Sequence, residues 1–474
     1  MRTCIIQVID EVNVRLVGLD ELTLKKCIDI LTFTVPNSHF MEKVRAKHWD
    51  GRVALLKKSG KTYRHLIYKI VDIIIKAGYE IAVDDKRFDY KISVQEIGDD
   101  LFEGFEHKRF KGIMEEHQVE AINKLASHTN GIIALATGGG KTIITAGLAQ
   151  LYYPYGKILV VVPRIDLVVE THATITAMGM TDCGMFFDEF KDPKYVTVTT
   201  WQSLENYHEL FSNVIAVIVD EAHGADARVL HNLLVGPGKN VPIRVGMTGT
   251  MPEDDLAKYQ ITAALGPVIY EKKARALQEA GFLAYCQIFI LRYLDKHRQE
   301  YKTEEKKHDY YIDEIRWQWS HDKRIAHLAE MIREITKDGT TLVLVRNRAY
   351  QKRLAELLPE ATFLNGDDKG SYRHKIYQET NEKDNAILGC TYGIASVGID
   401  VPRLKNLVLI EPGKKNIPVV QSIGRGLRKA DDKEWVMVYH VGSDARFSSK
   451  HVTEVQRIYK EHQYPYEIVE VDYA

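Results

Sequence analysis

The sequence has few cysteines and no long hydrophobic run, and both shortages argue against whole classes of protein. Only 5 of its 474 residues are cysteine, and none forms a Cys-x-x-Cys pair. This argues against a zinc ribbon or a disulfide framework and fits a reducing compartment. No apolar run has the length of a membrane span, and residues 1–10 lack the pattern of a signal peptide. We therefore predict a cytoplasmic protein that does not engage a membrane.

Charge and histidine content give no global sign of a ligand. The net charge is −1, so any affinity for nucleic acid must come from local clusters of basic residues. The 18 histidines include no His-Glu-x-x-His motif, which argues against a structural zinc. With 45% hydrophobic and 27% charged residues, the composition is that of a globular protein, and the length predicts about three domains.

A glycine-rich run follows an apolar stretch at residues 131–134. Residues 135–142 read LATGGGKT, in which glycines let backbone N–H groups converge on phosphates and Lys141 adds a positive charge. A leucine stands where the strict motif begins with glycine, so a flexible turn stays as the alternative. The run predicts a nucleoside triphosphate site with Mg²⁺ on the Thr142 hydroxyl, formed by Thr137, Gly138, Gly139, Gly140, Lys141 and Thr142.

Two adjacent carboxylates end a later apolar strand. Residues 217–219 are Val-Ile-Val, and Asp220, Glu221, Ala222 and His223 follow. Asp220 at a strand exit can hold the Mg²⁺ shell, and Glu221 can orient or deprotonate an attacking water. The alternative is a helix N-terminus whose dipole is complemented by acidic side chains.

A third segment, residues 421–428, reads QSIGRGLR. If it is helical, Gln421, Arg425 and Arg428 lie on one face. Guanidinium groups suit the dispersed charge of a phosphoryl group in transfer. A basic helix on the protein surface is the alternative interpretation of the two arginines.

Two series of buried strands are predicted between residues 130 and 441. Their apolar runs are continuous rather than alternating, as expected for parallel strands covered on both faces. The first series is 132–135, 158–162, 196–199, 214–219 and 243–247, and the second is 341–345, 361–364, 386–389, 407–410 and 436–441. Between them, residues 294–311 are rich in charge and aromatics; solvated surface is the simpler interpretation, and contact with a polyanion is the alternative.

The first hundred residues follow a different pattern. Alternation of Val12, Val14 and Leu16 with polar residues predicts a half-buried strand, Asp20 is expected to cap a helix through residue 33, and residues 66–76 predict a second helix ending at Gly78. Between the helices, an Asp-Gly turn at 50–51 predicts a hairpin. The first strand of this hairpin would place three basic side chains and an indole on one face: Lys43, Arg45, Lys47 and Trp49. Such a face suits contact with nucleic acid. The alternative is a face that is only exposed to water.

Taken in order, these motifs resemble those of superfamily 2 helicases and translocases. The matching set is Gln118, residues 135–142, residues 220–223, Thr248-Gly249-Thr250, Thr391 with Gly398-Ile399-Asp400, and residues 421–428. The basic N-terminal region with Trp49-Asp50-Gly51-Arg52 resembles that of phage branch-migration helicases of the UvsW type. The resemblance implies an α/β fold of two tandem RecA-like parallel-sheet lobes, at 101–282 and 283–474, after a small α+β domain at 1–100.

The resemblance also implies roles for individual residues. Gln118 would read adenine, Gly398 and Asp400 would join the ATP site, Gln421 would lie near the γ-phosphate, and Arg425 and Arg428 would be arginine fingers from the second lobe. Thr248 and Thr250 would relay the nucleotide state. The nucleic-acid contacts would be Arg52 with the basic N-terminal side chains, then Arg164, Thr200, Gln202, Arg346, Arg348 and Thr391.

The expected function is therefore an ATP- and Mg²⁺-dependent DNA helicase or translocase that acts on branched or forked DNA, in the host cytoplasm if a phage encodes it. A monomer is favoured. Three alternatives stay open: a duplex-DNA translocase that does not separate strands, an RNA-remodelling ATPase, and a nucleotide-gated scaffold without turnover.

Overall fold

The structure is a computed structural model that describes residues 2–107, 110–223, 227–296, 307–395, 401–411, 419, 422–424, 426–427 and 433–473. The chain forms two compact units, one of Met1–Leu135 with Gly140–Lys272 and one of Ala136–Gly139 with Lys273–Ala474. Five of the predicted site residues lie outside the described residues: Gly398, Asp400, Gln421, Arg425 and Arg428.

The N-terminal part of the first unit is a small α+β domain. Its strands are β1 (Arg2–Val8), β2 (Asn13–Val17), β3 (Thr32–Thr34), β4 (Arg52–Ala54), β5 (Lys61–Tyr63) and β6 (Tyr79–Asp85), and its helices are α1 (Glu21–Ile30), α2 (Glu42–Arg45) and α3 (Val71–Lys76). One sheet has the order β5-β2-β1-β6, in which only β1 and β6 are parallel.

Local sequence signals explain three of these elements. Val14 and Leu16 on β2 are buried and Arg15 between them is exposed, as the alternation predicts, although Asn13 is buried as well. The Asp20 side chain accepts a hydrogen bond from the Thr23 N–H at the start of α1, as an N-cap does. The helix ends at Ile30, because residues 32–34 form β3 instead. Gly78, at a φ of +84°, follows α3 and allows the chain to turn back into β6.

The predicted basic hairpin at residues 43–53 is wrong. Lys43 and Arg45 lie on α2, and the N–H groups of Arg45 and Ala46 donate back to the carbonyls of Met41 and Glu42. These local helical bonds replace the extended backbone that would have placed Lys43, Arg45, Lys47 and Trp49 on one face. After the Asp50-Gly51 turn, β4 pairs antiparallel with β3 rather than with the preceding residues.

The rest of the first unit is a parallel sheet covered by helices. Its strands are β7 (Asn130–Leu135), β8 (Lys157–Val162), β9 (Cys183–Phe187), β10 (Phe190–Asp192), β11 (Val196–Thr200), β12 (Val214–Val219), β13 (Ile243–Thr248) and β14 (Val268–Lys272). Its helices are α4 (Glu116–His128), α5 (Lys141–Tyr152), α6 (Ile165–Ala177), α7 (Trp201–Asn206), α8 (Ala227–Val235) and α9 (Asp255–Leu265). The strand order is β10-β9-β11-β8-β12-β13-β7-β14, and β10 alone runs antiparallel to its neighbour.

The second unit is also a parallel sheet with helices. Its strands are β15 (Tyr285–Tyr293), β16 (Thr341–Val345), β17 (Thr362–Leu364), β18 (Ile387–Thr391), β19 (Asn406–Ile410), β20 (Trp435–Ser443) and β21 (Tyr466–Val471), in the order β17-β18-β16-β19-β20-β15-β21. Its helices are α10 (Ala274–Glu279), α11 (Lys307–Ser320), α12 (Asp322–Thr336), α13 (Arg348–Leu357), α14 (Gly370–Asn381), α15 (Tyr392–Ala395) and α16 (Ser448–Glu461).

Each of the ten apolar runs predicted as strands is a strand of these two sheets. Strand β12 illustrates why, since all six of its residues are buried. Across the described part of the chain, no helix combines the length and apolarity that a membrane crossing requires.

Candidate nucleotide site and nucleic-acid interface

The glycine turn and the acidic segment lie at one edge of the first sheet. Strands β12, β13 and β7 are parallel neighbours, so their carboxyl ends share that edge. The glycine turn follows β7, Thr248 ends β13, and Asp220 follows β12. Ligands of open parallel sheets bind at this edge.

The glycine turn has the backbone conformation that its composition predicts. Gly138 and Gly140 have φ angles of +91° and +85°, which residues with a Cβ atom rarely adopt. Gly140 is the N-cap of α5, and no side chain caps that helix. A Cβ on Gly140 would lie 2.1 Å from the Gln118 Nε2 atom. The turn is therefore closed against Gln118, and the N-terminus of α5 has the polarity that attracts a phosphate.

Gln118 lies at the first turn of α4. Its side chain is buried, and Oε1 accepts a hydrogen bond from the Glu115 N–H at 3.1 Å. The Glu115 side chain in turn accepts from the Gln118 N–H, so the two residues form a capping box. This reciprocal pair fixes the orientation of the Gln118 amide beside Gly140.

Lys141 and Glu221 form an ion pair across this edge. Lys141 Nζ lies 2.9 Å from Glu221 Oε1, and the two side chains are 10% and 23% exposed. An ion pair with so little exposure is weakly screened by solvent. The residues predicted to bind phosphate and to activate water are thus brought together.

Asp220 is half-buried and directly follows β12. Its Oδ1 atom accepts a hydrogen bond from the Glu221 N–H at 2.9 Å, and Glu221 itself has a φ of +48°. Burial, with the nearby Glu221 charge, raises the pKa of Asp220 to about 6. A divalent cation beside this carboxylate would favour its ionised form. Carboxylate and hydroxyl oxygens are ligands suited to Mg²⁺, so Asp220 and Thr142 fit the predicted metal.

His223 connects the acidic segment with the end of β13. Its Nδ1 atom lies 2.5 Å from Thr248 Oγ1 and 3.3 Å from Glu221 Oε2. The Thr248 hydroxyl donates its hydrogen to the Thr250 carbonyl, so it accepts from His223 Nδ1–H. Burial lowers the pKa of His223, which favours the neutral imidazole.

The predicted nucleic-acid residues of the first lobe follow strand ends. Arg164 is the N-cap of α6 and is half-buried, and Gln202 is exposed on α7. Thr200 is buried, and its hydroxyl caps α7 by accepting from the Ser203 N–H. The Thr200 side chain therefore has a structural role as a helix cap, and its contact with nucleic acid stays a prediction.

In the second unit, three residues are predicted to contact nucleic acid. Arg346 and Arg348 come after β16, and Thr391 is the last residue of β18. Arg346 is half-buried, with its guanidinium 5.3 Å from the centre of the Tyr311 ring. Arg348 is 63% exposed and pairs with Asp367 at 3.0 Å. Thr391 is half-buried.

The basic residues of the N-terminal domain are accessible. Lys43, Arg45, Lys47 and Arg52 are all exposed, although they do not share a strand face. The Trp49 indole N–H donates to the Arg52 carbonyl at 2.9 Å, so the indole is tied to the turn.

A buried charged cluster in the second unit could not be predicted from the sequence. Arg324, on α12, is fully buried and binds Asp295 at 3.1 Å and Glu411 at 3.0 Å. It also donates to the Tyr350 hydroxyl and lies 4.9 Å from the centre of the Tyr293 ring. The only available signal was the position of Asp295 and Glu411 just after apolar runs.

Two families match this chain. Residues 111–253 match the family described as "Type III restriction enzyme, res subunit". Residues 323–430 match the "Helicase conserved C-terminal domain".

Two curated relatives and one solved structure are similar to this chain. The ATP-dependent DNA helicase uvsW of Enterobacteria phage T4 is 24% identical over 457 residues, which span 92% of this chain and 89% of that protein. The DNA 3'-5' translocase XPB2 of Sulfurisphaera tokodaii is 23% identical over 367 residues, or 69% of this chain and 80% of that protein. A fragment of an HsdR subunit of a type I restriction enzyme from Vibrio vulnificus has a TM-score of 0.58 at 17% identity, covering 90% of this chain and 77% of that one, and it shows the same fold.

Proposed function

We propose that this chain, which belongs to superfamily 2 of the helicases and translocases, uses its ATP-driven motor on branched or forked DNA. The observation that carries the proposal is the Lys141–Glu221 ion pair beside the glycine turn, at the carboxyl edge of a parallel sheet. It joins a phosphate-binding cation and an acid able to activate water, which are the two groups that hydrolysis of ATP requires.

The proposed ATP site assigns one role to each residue of this edge. Gly138, Gly139 and Gly140 would present backbone N–H groups to the phosphates, and Lys141 would move from Glu221 to the β- and γ-phosphates. Glu221 is then released to orient or deprotonate water. Asp220 and Thr142 would hold Mg²⁺, which neutralises phosphate charge when bound, and the fixed amide of Gln118 would read the adenine base.

The second half of the motor rests on the family resemblance. We propose that Arg425 and Arg428 stabilise charge on the transferring phosphoryl group, with Gln421 near the γ-phosphate and Gly398 and Asp400 completing the site. An arginine finger contributes on the order of 10³ to 10⁵ in rate. Loss of the γ-phosphate would then change the grip on a strand, which turns hydrolysis into stepping.

Nucleic acid would be held by groups that contact phosphates and do not read sequence. In the lobes these are Arg164, Thr200, Gln202, Arg346, Arg348 and Thr391. The exposed N-terminal cations Lys43, Arg45, Lys47 and Arg52, with Trp49, would bind a duplex arm of the branch. The uvsW relative, named an ATP-dependent DNA helicase, supports DNA as the substrate. Since a DNA motor works where DNA is, we propose a cytoplasmic location and a monomer as the working unit.

The test is ATP hydrolysis against a panel of nucleic acids. Single-stranded, duplex, forked and four-way DNA and single-stranded RNA are compared for their stimulation of phosphate release. We expect the forked and four-way DNA to stimulate most, and Lys141→Ala to abolish hydrolysis with all of them. Stronger stimulation by RNA than by any DNA, or hydrolysis by Lys141→Ala at the parental rate, would refute the proposal.

A second candidate is movement along duplex DNA without strand separation. The relative named as a DNA translocase and the match to a restriction-enzyme subunit favour it. Displacement of a labelled strand from a forked duplex is compared with displacement of a third strand from a triplex. Activity on the triplex alone would favour translocation without unwinding.

A further inference from the structure

Arg346 stands at the carboxyl edge of the second sheet, beside the end of another strand. It directly follows β16, and β16 pairs in parallel with β19 so that Leu344 is level with Leu409. Continued by two residues, this register places Arg346 level with Glu411. An arginine and an acid therefore leave adjacent strands at the same height.

Contacts with neighbouring groups restrict the conformation of the Arg346 side chain. Its guanidinium lies over the Tyr311 ring, at 5.3 Å from the ring centre. Its Nη1 atom is buried and has no hydrogen-bond partner. A buried N–H without a partner is unfavourable, so the ring and the local charge must hold the guanidinium in this orientation.

Glu411 supplies negative charge at this place. Its side chain is 4% exposed, its φ is +48°, and Oε1 lies 3.0 Å from Arg324 Nη2. Burial, together with Asp295 after β15 and Glu314 on α11, raises the pKa of Glu411 to about 7, against the opposing effect of Arg324 and Arg346. The lowering effect of Arg346 means that the guanidinium and the carboxylate attract each other.

We propose that Tyr311 and Glu411 are positioning residues that hold Arg346 ready to bind a backbone phosphate of the nucleic-acid strand. This inference rests on the proposed function, because it requires that a strand is bound. It also assigns a role to residue 311, at the end of the charged segment 294–311 that sequence analysis left open.

The physical reason is preorganisation. A long arginine side chain loses rotamer freedom when it binds a phosphate. A guanidinium already held over an aromatic ring, with a carboxylate at the end of the adjacent strand, loses less. A cation–π contact stabilises by about 0.5 to 2 kcal/mol, which corresponds to about two- to thirtyfold in affinity.

The experiment measures binding of a fluorescein-labelled single-stranded oligonucleotide by anisotropy at pH 8, where Glu411 is mostly ionised. Two matched pairs separate the effects. Tyr311→Leu removes the ring that Tyr311→Phe keeps, and Glu411→Gln removes the charge next to Arg346 while Asp295→Asn removes the other carboxylate on Arg324. We expect Tyr311→Leu and Glu411→Gln to bind about five- to tenfold more weakly, and the two controls to stay within about twofold of the parent.

The salt dependence of oligonucleotide affinity provides a second measurement, because a general loss of stability would not change the slope of log affinity against log salt concentration. Losing one phosphate contact lowers the slope of log affinity against log salt by about 0.7 for a single strand. We expect that decrease in Arg346→Ala but a parental slope in Tyr311→Leu and Glu411→Gln, because these variants keep the guanidinium contact and only weaken its affinity. Combining either of them with Arg346→Ala is expected to bring no further loss of affinity. Losses that add in the double variants, or parental affinity in Tyr311→Leu, would overturn the inference.

Three further outcomes are distinguishable. If Glu411→Gln does not fold, the comparison of Tyr311→Leu with Tyr311→Phe decides alone, since that pair does not disturb the Arg324 cluster. If the parent protein itself binds no oligonucleotide, the proposed function fails and this inference fails with it. If the parent binds and Tyr311→Leu binds equally well, only the inference fails.

Discussion

Single residues at the nucleotide edge are held by partners that they must leave when a ligand binds. Lys141 is paired with Glu221 at 2.9 Å, which neutralises both charges in a poorly hydrated place. A triphosphate brings negative charge that can replace Glu221 as the partner of Lys141. The ion pair therefore compensates the charges of two half-buried side chains until ATP arrives.

Replacing Glu221 by glutamine tests its chemical role. The amide keeps the size of the side chain but cannot take a proton from water, so we expect ATP binding to persist and turnover to fall by about 10²- to 10⁴-fold. Phosphate release at saturating ATP and DNA is measured beside binding of a fluorescent ATP analogue. The matched control is Glu209→Gln at an exposed position. Turnover by Glu221→Gln within twofold of the parent would show that Glu221 is not the water-activating group.

Buried histidines make stability depend on pH. His440 on β20 is fully buried, its Nδ1 atom lies 2.8 Å from the Tyr459 hydroxyl, and burial lowers its pKa to about 3. Unfolding lets it take up a proton below pH 6.5, so its contribution to stability is complete above that pH and is lost as pH falls from 6.5 towards 3. The slope is about 1.4 kcal/mol per pH unit for one proton.

We therefore expect His440→Gln to lower stability at pH 7.5 but to flatten its decline in acid. Urea unfolding of parent and variant is followed at pH 7.5, 6.5 and 5.5. The other histidines with lowered pKa, such as His65 and His231, keep part of the slope in both proteins. Equal slopes for parent and variant between pH 6.5 and 5.5 would mean that His440 does not stay neutral in the folded protein.

At the level of elements, the sequence predicts the strands that are buried in a sheet, but it does not predict the elements that depend on local backbone hydrogen bonds. The buried parallel strands were predicted because their apolar runs are continuous, and the fold and the family resemblance are confirmed. The N-terminal hairpin failed because helical bonds from Arg45 and Ala46 outweighed the alternation of side chains. Strand β21 was not predicted. Its burial pattern has four exposed residues between two half-buried ones, so the strand shows neither a continuous buried run nor an alternation of buried and exposed residues.

The candidate site was predictable where chemistry is encoded in short runs. Residues 137–142 and 220–223 are contiguous, so their chemistry is visible without a structure. Arg324 is different, because its partners Asp295 and Glu411 lie 29 and 87 positions away. No local pattern marks such a pairing, and only the fold brings the three residues together. The roles assigned to the site residues stay predictions until they are tested.

Arg244 on β13 shows how one side chain fixes several elements. It is fully buried, and its guanidinium donates to the carbonyls of Leu234, Gly238 and Ala264 at 2.6 to 2.7 Å. These carbonyls belong to the ends of α8 and α9 and to the loop between α8 and β13. The guanidinium satisfies acceptors that would otherwise be buried without donors.

Replacing Arg244 by methionine is expected to destabilise the first unit by about 3 to 5 kcal/mol, because three buried carbonyls lose their donors. The control is Arg228→Met, an exposed position on α8. Urea unfolding measures the loss, and limited proteolysis is expected to cut the loop at residues 236–242 earlier in the variant. A change below about 1 kcal/mol would mean that the carbonyls find other donors, such as water.

At the scale of the whole molecule, the N-terminal domain is built into the first unit. One hydrophobic core joins Cys4 and Leu66 to Leu256 and Ala263 on α9. Phe33 on β3 stacks on Tyr259 at 4.8 Å, and the Glu11 N–H donates to the Lys239 carbonyl. Deleting the domain would expose this face of α9 to water, so its function must be tested with surface charges in the intact chain.

The test replaces the four exposed cations in Lys43→Ala, Arg45→Ala, Lys47→Ala and Arg52→Ala together. We expect affinity for four-way DNA to fall towards that for single-stranded DNA, because the domain is proposed to bind a duplex arm. Each lost phosphate contact lowers the salt slope by about 0.9 on duplex, so four contacts would lower it by about 3 to 4. The control removes as much charge from exposed positions elsewhere in the same domain: Lys57, Lys58, Lys61 and Lys76. If both variants weaken every DNA form equally, the effect is one of net charge, and the N-terminal cations do not select branches.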